Sequence, residues 1–298
     1  MTSPHVKSSL RVVVLCCDGL YQRHLIHRAA EEFDLVGVVL QHPRNESRHP
    51  LQRLAPYRNP RRLWRQLQSR LSLPRHERRG DELRRQLFYR DGHYPELPEA
   101  VPRLETTSIN GPETVAFLRS HPADIVLVNG TQLLRDPILE LLPTLRHGII
   151  NLHTGLSPYS RGANCNLYMI LEGHPELVGV TVHHIDRGID SGDIILSAQV
   201  PYEPDDNFET VDVRSFALGI DLLIEAAHRL EAGTAERVPQ WEQGKLFLRR
   251  TGYVYEPHQR LLANRRIEQG LLREHLRQAA GSAAAVRLVG APEAPCPS

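Results

Sequence analysis

148-GIINLHTGLSPYSRGANCNLYMILEGHPELVGVTVHHIDRGIDSGDIILSAQ-199 is the stretch whose reading decides the fold. It opens on an apolar strand (148–152) and closes on another (193–200). Between them lie a Gly- and Pro-bearing loop, a short helix (164–172) and a strand (178–185). Side chains alternate along a strand with period two, so Asn151 and His153 emerge on the same side at the strand's end. The polar turn 186–193 returns to the sheet with three aspartates, Asp186, Asp190 and Asp193, and can set a carboxylate beside that pair. An amide, an imidazole and a carboxylate suit acyl transfer. The imidazole moves protons near neutral pH, an amide N–H stabilises an oxyanion, and a carboxylate orients or polarises.

Outward from this centre the chain alternates strands and helices. Residues 10–17 are a β-branched apolar run of the kind buried on both faces of a sheet, 21–33 has helical spacing, and 35–40 is a second buried strand. That order is a βαβ unit and implies a parallel sheet with right-handed crossovers. The first turn lacks G-x-G-x-x-G, so no dinucleotide fingerprint is present. A helix is expected over 112–120 with Asn110 as its cap, then a strand over 124–128, then a helix over 137–142. The loop Thr131, Gln132, Leu133, Leu134 sits at a strand's carboxyl end, where open α/β sheets bind ligands. The fold class is therefore α/β, a Rossmann-like, mostly parallel sheet with helices on both faces.

Residues 42–102 interrupt this order with a dense arginine series that includes Arg61, Arg62, Arg65, Arg75, Arg79, Arg84 and Arg90. Leu63, Trp64, Leu67 and Leu71, then Leu83, Leu87 and Phe88, recur at helical spacing, which predicts a pair of inserted amphipathic helices with solvated arginine faces. A sharper reading makes them a phosphate-contacting lid, since guanidinium groups bind phosphate bidentately. After a catalytic domain over 1–200, a C-terminal extension over 201–278 reads helix (210–230), strand or hairpin (243–249) and one last amphipathic helix (257–278) that could form a homodimer interface. Residues 279–298 read as a disordered tail.

Composition narrows the classes. The 298 residues, 41% of them hydrophobic, suffice for a large domain, and a net charge of +1 argues against a globally basic nucleic-acid binder. No apolar run could span a bilayer, no secretory signal begins at Met1, and four cysteines show no C-x-x-C pair, so a reducing cytoplasm is expected. The histidines and aspartates around 153–193 crowd together, but His183 and His184 point to opposite faces of a strand and no H-E-x-x-H occurs. No metal is expected. Ser157 lacks the G-x-S-x-G context of a nucleophile.

Four motifs occur in order within about fifty residues: Asn151-Leu-His153; Leu156-Ser-Pro158 with Arg161-Gly162-Ala; Gly179-Val-Thr181; and Gly188-Ile-Asp190-Ser-Gly192-Asp193. Together they resemble the formyltransferases that use 10-formyltetrahydrofolate. The Gly-Leu-Ser-Pro-Tyr loop at 155–159 is more similar to the amino-sugar N-formyltransferase branches than to methionyl-tRNA formyltransferase. The resemblance implies the formyltransferase fold, 10-formyltetrahydrofolate as formyl donor, and an amine acceptor. It implies Asn151, His153 and Asp190 as the catalytic set, with a protonated His153 and Asn151 on the oxygen of a tetrahedral adduct. It places Thr131 to Leu134 along the pterin, and Ile185, Asp186, Gly188 and Ile189 on the pterin's other side. Leu156, Pro158, Arg161 and Gly162 would shape the substrate loop, and Arg161 could reach an anionic substrate.

The expected acceptor is a small-molecule amine, with a nucleotide-linked amino sugar leading because the inserted arginines could meet a pyrophosphate. A hydroxyornithine-type amine is second. Methionyl-tRNA is disfavoured because the segment after 204 shows no β-barrel pattern. Two further readings are weighed: formyltetrahydrofolate hydrolase, whose regulatory domain has no room before the first strand, and a non-catalytic α/β binding protein. Intact Asn151, His153 and Asp190 speak against the second.

Overall fold

The computed structural model of the protein describes residues 7–43, 59–279 and 286–290. Strand β1 (Arg11–Cys17) lies in the interior of the sheet and divides its side chains between the two faces. Val12, Val14 and Cys16 join one core cluster, and Val13 and Leu15 join another on the opposite face. Helix α1 (Leu20–Glu32) leads to β2 (Asp34–Gln41), which pairs in parallel with β1 as the βαβ reading requires.

The inserted region departs from expectation: residues 59–88 carry one helix, not two. Helix α2 (Pro60–Phe88) starts where the Asn59 side chain accepts from the Arg61 and Arg62 N–H groups at 3.0 and 3.3 Å, with Pro60 at the first turn. Its buried residues Ser69, Leu73, His76, Gly80 and Phe88 form a single stripe at helical spacing, which passes Pro74 without including it. One continuous face against one continuous partner surface yields one helix. Residues 44–58 of the insertion lie outside the described residues. Arginines of α2 are largely taken by carboxylates: Arg62 and Arg65 by Glu256 (3.3 and 3.9 Å), Arg75 by Glu268 (3.2 Å), Arg79 by Asp205. Such exposed pairs contribute about 0–1 kcal/mol each.

Strand β3 (Arg103–Thr106) extends the parallel sheet beyond β2, and helix α3 (Pro112–Ser120) follows. Asn110 does not cap it; Gly111 holds that position without a side-chain bond. Instead Asn110 donates to the Leu133 carbonyl (3.0 Å) and accepts from the Arg135 N–H (2.8 Å), clamping the loop after β4 (Ile125–Asn129). A short helix α4 (Asp136–Leu139) leads to β5 (Gly148–His153). Strand β6 (Ser160–Gly162), helix α5 (Cys165–Glu172), β7 (Gly179–His184) and β8 (Ile194–Gln199) complete the central stretch. The seven-stranded sheet runs β3-β2-β1-β4-β5-β7-β8, parallel through β5, with β7 antiparallel to both of its neighbours.

Helix α6 (Phe208–Ala232) is capped by a reciprocal pair, Asn207 with Thr210, and packs Val213, Ile220, Leu223 and Ile224 into the same core as β1 and β5. Gly219 permits this approach, since a Cβ there would lie 2.4 Å from Leu152 Cδ1. Of the strand or hairpin expected over 243–249, the strand is found: β9 (Lys245–Phe247) pairs in parallel with β6. The last helix is broken into α7 (Pro257–Glu268) and α8 (Leu271–Ala279), because Gly270 adopts φ +104° between them. Part of the supposed tail is ordered too. Val289 is buried, and its N–H and carbonyl bond to Ser197 at 2.8 and 2.9 Å. A β-branched residue seated on a sheet edge outweighs the polar, small-residue composition around it.

Candidate active site

The carboxyl ends of β4 and β5 and the loop after β7 enclose an open cleft of about 400 Å³. Asn151 and His153 both face it from β5. Antiparallel pairing sets His183 directly opposite Asn151 and Thr181 opposite His153. Thr181 accepts from the Ser157 N–H and donates to the Gly155 carbonyl, each at 2.8 Å, and so fixes the 155–158 loop under the imidazole. Leu156 and Pro158 are buried in that loop and do not line the cleft.

Asp190 joins from the loop after β7, with φ +46°. Its Oδ2 accepts from the Gly162 N–H at 2.9 Å and lies 3.6 Å from His153 Nδ1. Its Oδ1 lies 3.5 Å from His183 Nε2, and its carbonyl accepts from Gln240 Nε2 at 2.7 Å. Asp186 turns inward on its own loop, accepting from the Gly188 N–H and the Ser191 hydroxyl at 2.9 Å, while Asp193 pairs with Arg237 at 3.3 Å. Of the three aspartates, Asp190 alone stands beside the imidazole. Gly162 lines the cleft at φ +101°, and a Cβ there would lie 2.4 Å from the Phe247 carbonyl oxygen, so only glycine delivers this N–H. Arg161 is only partly buried and is not among the cleft walls; its Nε has no partner among the described residues.

The other sequence-derived candidates form two walls. Thr131, Gln132, Leu133 and Leu134 make one, with Leu133 exposed and Leu134 rooted in the core; Ile185, Asp186, Gly188 and Ile189 make the other. The first wall is held by Asn110 and by Gln41, whose Oε1 accepts the Gln132 N–H at 2.7 Å. Backbone groups with interspersed apolar side chains suit a flat ring with hydrogen-bonding edges, and the volume falls within the usual range for ligand sites of about 300–1,000 Å³.

Sequence reasoning missed His183, which it weighed only as a metal ligand. The signal was there in the strand period, but the antiparallel register that sets it against Asn151 is a tertiary fact. Gln22 and Asn129 were missed too: Gln22 donates to Asn129 (2.6 Å), and Asn129 donates to the Leu152 carbonyl (3.1 Å), bracing the strand between the two site residues. Among the described residues no group of three or more His, Cys, Asp or Glu could hold a metal ion, and no helix is long and apolar enough to cross a membrane.

Bonding partners assign the protons. His183 Nδ1 faces the His184 carbonyl at 2.8 Å, and its Nε2 faces both Asn151 Nδ2 at 3.2 Å and Asp190 Oδ1 at 3.5 Å. Asn151 then keeps a second N–H for the cleft. His153 Nε2 faces the Ser160 carbonyl at 3.3 Å, leaving Nδ1 as the basic nitrogen toward Asp190. Burial pushes the His153 pKa down; Asp190 opposes this and His183 adds to it, so the resting ring is neutral. A protonated His153, expected from sequence at the tetrahedral adduct, therefore requires that the ring take up a proton during the reaction. Burial pushes the Asp190 carboxyl up, but His153, His183 and the Gly162 N–H outweigh it and hold it well below the usual carboxylate range. Because Asp190 raises the His153 pKa, Asp190→Asn is expected to lower it further, read as a downfield-to-upfield imidazole titration displaced to lower pH by NMR. A displacement to higher pH would reverse the assigned coupling.

A family model described as formyl transferase matches residues 69–227, more than half of the chain. The chain belongs to the formyl transferase family. Asn151, His153 and Asp190 fall within the matched span, as does most of α6. Among curated relatives, the methionyl-tRNA formyltransferase of Syntrophus aciditrophicus is 35% identical over 141 residues, 47% of this chain and 44% of that protein. That of Desulforamulus reducens is 38% identical over 143 residues, 47% and 43%. The chain spans less than half the length of these curated relatives. Two solved structures share the formyl transferase fold. One is a Mycobacterium tuberculosis protein described as a candidate sugar N-formyltransferase (TM-score 0.50, 20% identity, 85% of this chain and 87% of that one). The other is glycinamide ribonucleotide transformylase 1 from Symbiobacterium toebii (TM-score 0.50, 19% identity, 77% and 94%).

Proposed function

We propose that this protein transfers a formyl group from 10-formyltetrahydrofolate to the amine of a small molecule. The observation that carries this reading is the convergence of Asn151, a neutral buried His153 and an ionised Asp190 at one end of a cleft walled by 131–134 and 185–189. The bound donor supplies an activated formyl carbon. Asn151 directs its free N–H at the formyl oxygen as negative charge develops there. His153 Nδ1 takes the proton released by the attacking amine, and Asp190, 3.6 Å away, stabilises the imidazolium so formed. That proton is returned to the folate nitrogen as its bond to the formyl carbon breaks, so the residues end as they began.

A nucleotide-linked amino sugar is the leading expectation for the acceptor, from the resemblance of the 155–159 loop and from inserted arginines such as Arg61, Arg62 and Arg65. In the fold, Arg62 and Arg65 pair with Glu256, which leaves less positive charge for a pyrophosphate. Tetrahydrofolate is expected to protect 131–134 and 185–190 from hydrogen exchange together, as both walls close on one ring. Protection confined to the Asp18-Gly19 turn would refute the folate site.

A further inference from the structure

A second pocket of about 200 Å³ adjoins the cleft, formed where the arginine-rich helix α2, helix α6 and helix α7 meet. Asn164 lines both cavities, and Asp212 in the second pocket lies one helical turn before Phe216 in the first. We propose that this pocket is the acceptor subsite and holds the ammonium and carboxylate of an α-amino acid whose side-chain amine reaches His153. The inference rests on the formyl transfer reading and adds the class of acceptor.

The charges in the pocket are unequally satisfied. Arg260 is fully engaged, with Glu209 at 2.9 Å and Glu77 at 3.1 Å, and the second oxygen of Glu209 accepts from Asn264 at 2.8 Å. Arg84 donates Nε to the Tyr21 hydroxyl (2.8 Å) and Nη1 to Asp81 (2.5 Å), while its Nη2 has no partner among the described residues. Asp212 forms no hydrogen bond or salt bridge among the described residues, although it lines the pocket beside both guanidinium groups. Asp212 is partly buried, and a carboxylate drawn partly out of water without a donor is satisfied by a ligand that brings an ammonium group. The pKa agrees: burial pushes Asp212 up to about 6, with Arg84 and Arg260 pulling it down and Glu209 pushing it up. Asp212 therefore calls for a cation and Arg84 Nη2 for an anion, the two ends of a zwitterionic head. The surrounding carboxylates leave no positive excess for a diphosphate. The volume is also below the roughly 300–1,000 Å³ of sites for larger ligands.

Calorimetry on the full chain, saturated with tetrahydrofolate, tests this with L-ornithine, L-norvaline and putrescine as probes. L-Ornithine and L-norvaline share the head and are expected to bind. Putrescine lacks the carboxylate and is expected to bind at least about tenfold more weakly. Asp212→Asn keeps the shape of the side chain, and should weaken L-ornithine at least about tenfold while tetrahydrofolate affinity stays unchanged. Arg84→Gln should weaken both zwitterions but not putrescine. Undiminished L-ornithine binding to Asp212→Asn would overturn the subsite, as would a wild type that binds tetrahydrofolate and neither zwitterion. Failure of the underlying formyl transfer reading has a different signature, the loss of tetrahydrofolate binding itself.

Discussion

Replacing His153 with alanine is expected to lower kcat/KM for formyl transfer by about a hundred- to ten-thousandfold, the usual range for a positioned proton-transfer group. The ring is 6% exposed, so its removal leaves a small cavity, and circular dichroism should confirm that the fold persists. Tetrahydrofolate should still bind, because the walls at 131–134 and 185–189 do not depend on the imidazole. Asp190→Ala should share the loss, acting through the same proton and removing the acceptor of the Gly162 N–H. The two losses should not add, since both residues serve one step. Wild-type turnover in the His153 variant would falsify the mechanism.

The largest effect on stability is expected at Phe247, on the strand that backs the Gly162 loop. Its side chain is fully buried, stacked on Tyr168 at 5.0 Å between ring centres and edge-on to Tyr253 at 4.6 Å. Phe247→Ala should cost about 3–5 kcal/mol and lower Tm by on the order of 10 °C. It should also impair catalysis in the molecules that remain folded. Phe247 pairs with Gly162, and its carbonyl accepts from the Ala163 N–H at 2.9 Å, so β9 holds the backbone that donates to Asp190. Phe247→Leu, which conserves most of the volume, should cost less than about 1.5 kcal/mol. Thermal unfolding followed by circular dichroism, with formyl transfer measured well below Tm, separates the two effects. Equal Tm in Phe247→Ala and wild type would show that β9 is not held by this cluster.

Much of this protein is determined by local sequence. Runs such as Val12 to Cys16 and Ile125 to Val128 are apolar at every position and rich in β-branched residues, which suits strands covered on both faces, and so the parallel core follows. Period two placed Asn151 and His153 on one side, and the polar turn after β7 supplied the aspartates. What depends on long-range register was not legible. His183 enters the site because β7 runs antiparallel to β5 and pairs residue 183 with 151; a one-residue slip would have presented His184 instead. The resemblance had singled out Asp190, but the donor that holds it in place, the Gly162 N–H, is positioned by β9 from some eighty residues away. The single helix α2 follows from a buried stripe whose partner surface, α6, is far away in sequence. Asp212, too, is an ordinary exposed-looking residue of an amphipathic helix until α2 and α7 close over it. Period and composition decide which face of an element is apolar. Only packing between distant segments decides which polar groups are left facing one another without a partner, and chemistry is done by those groups.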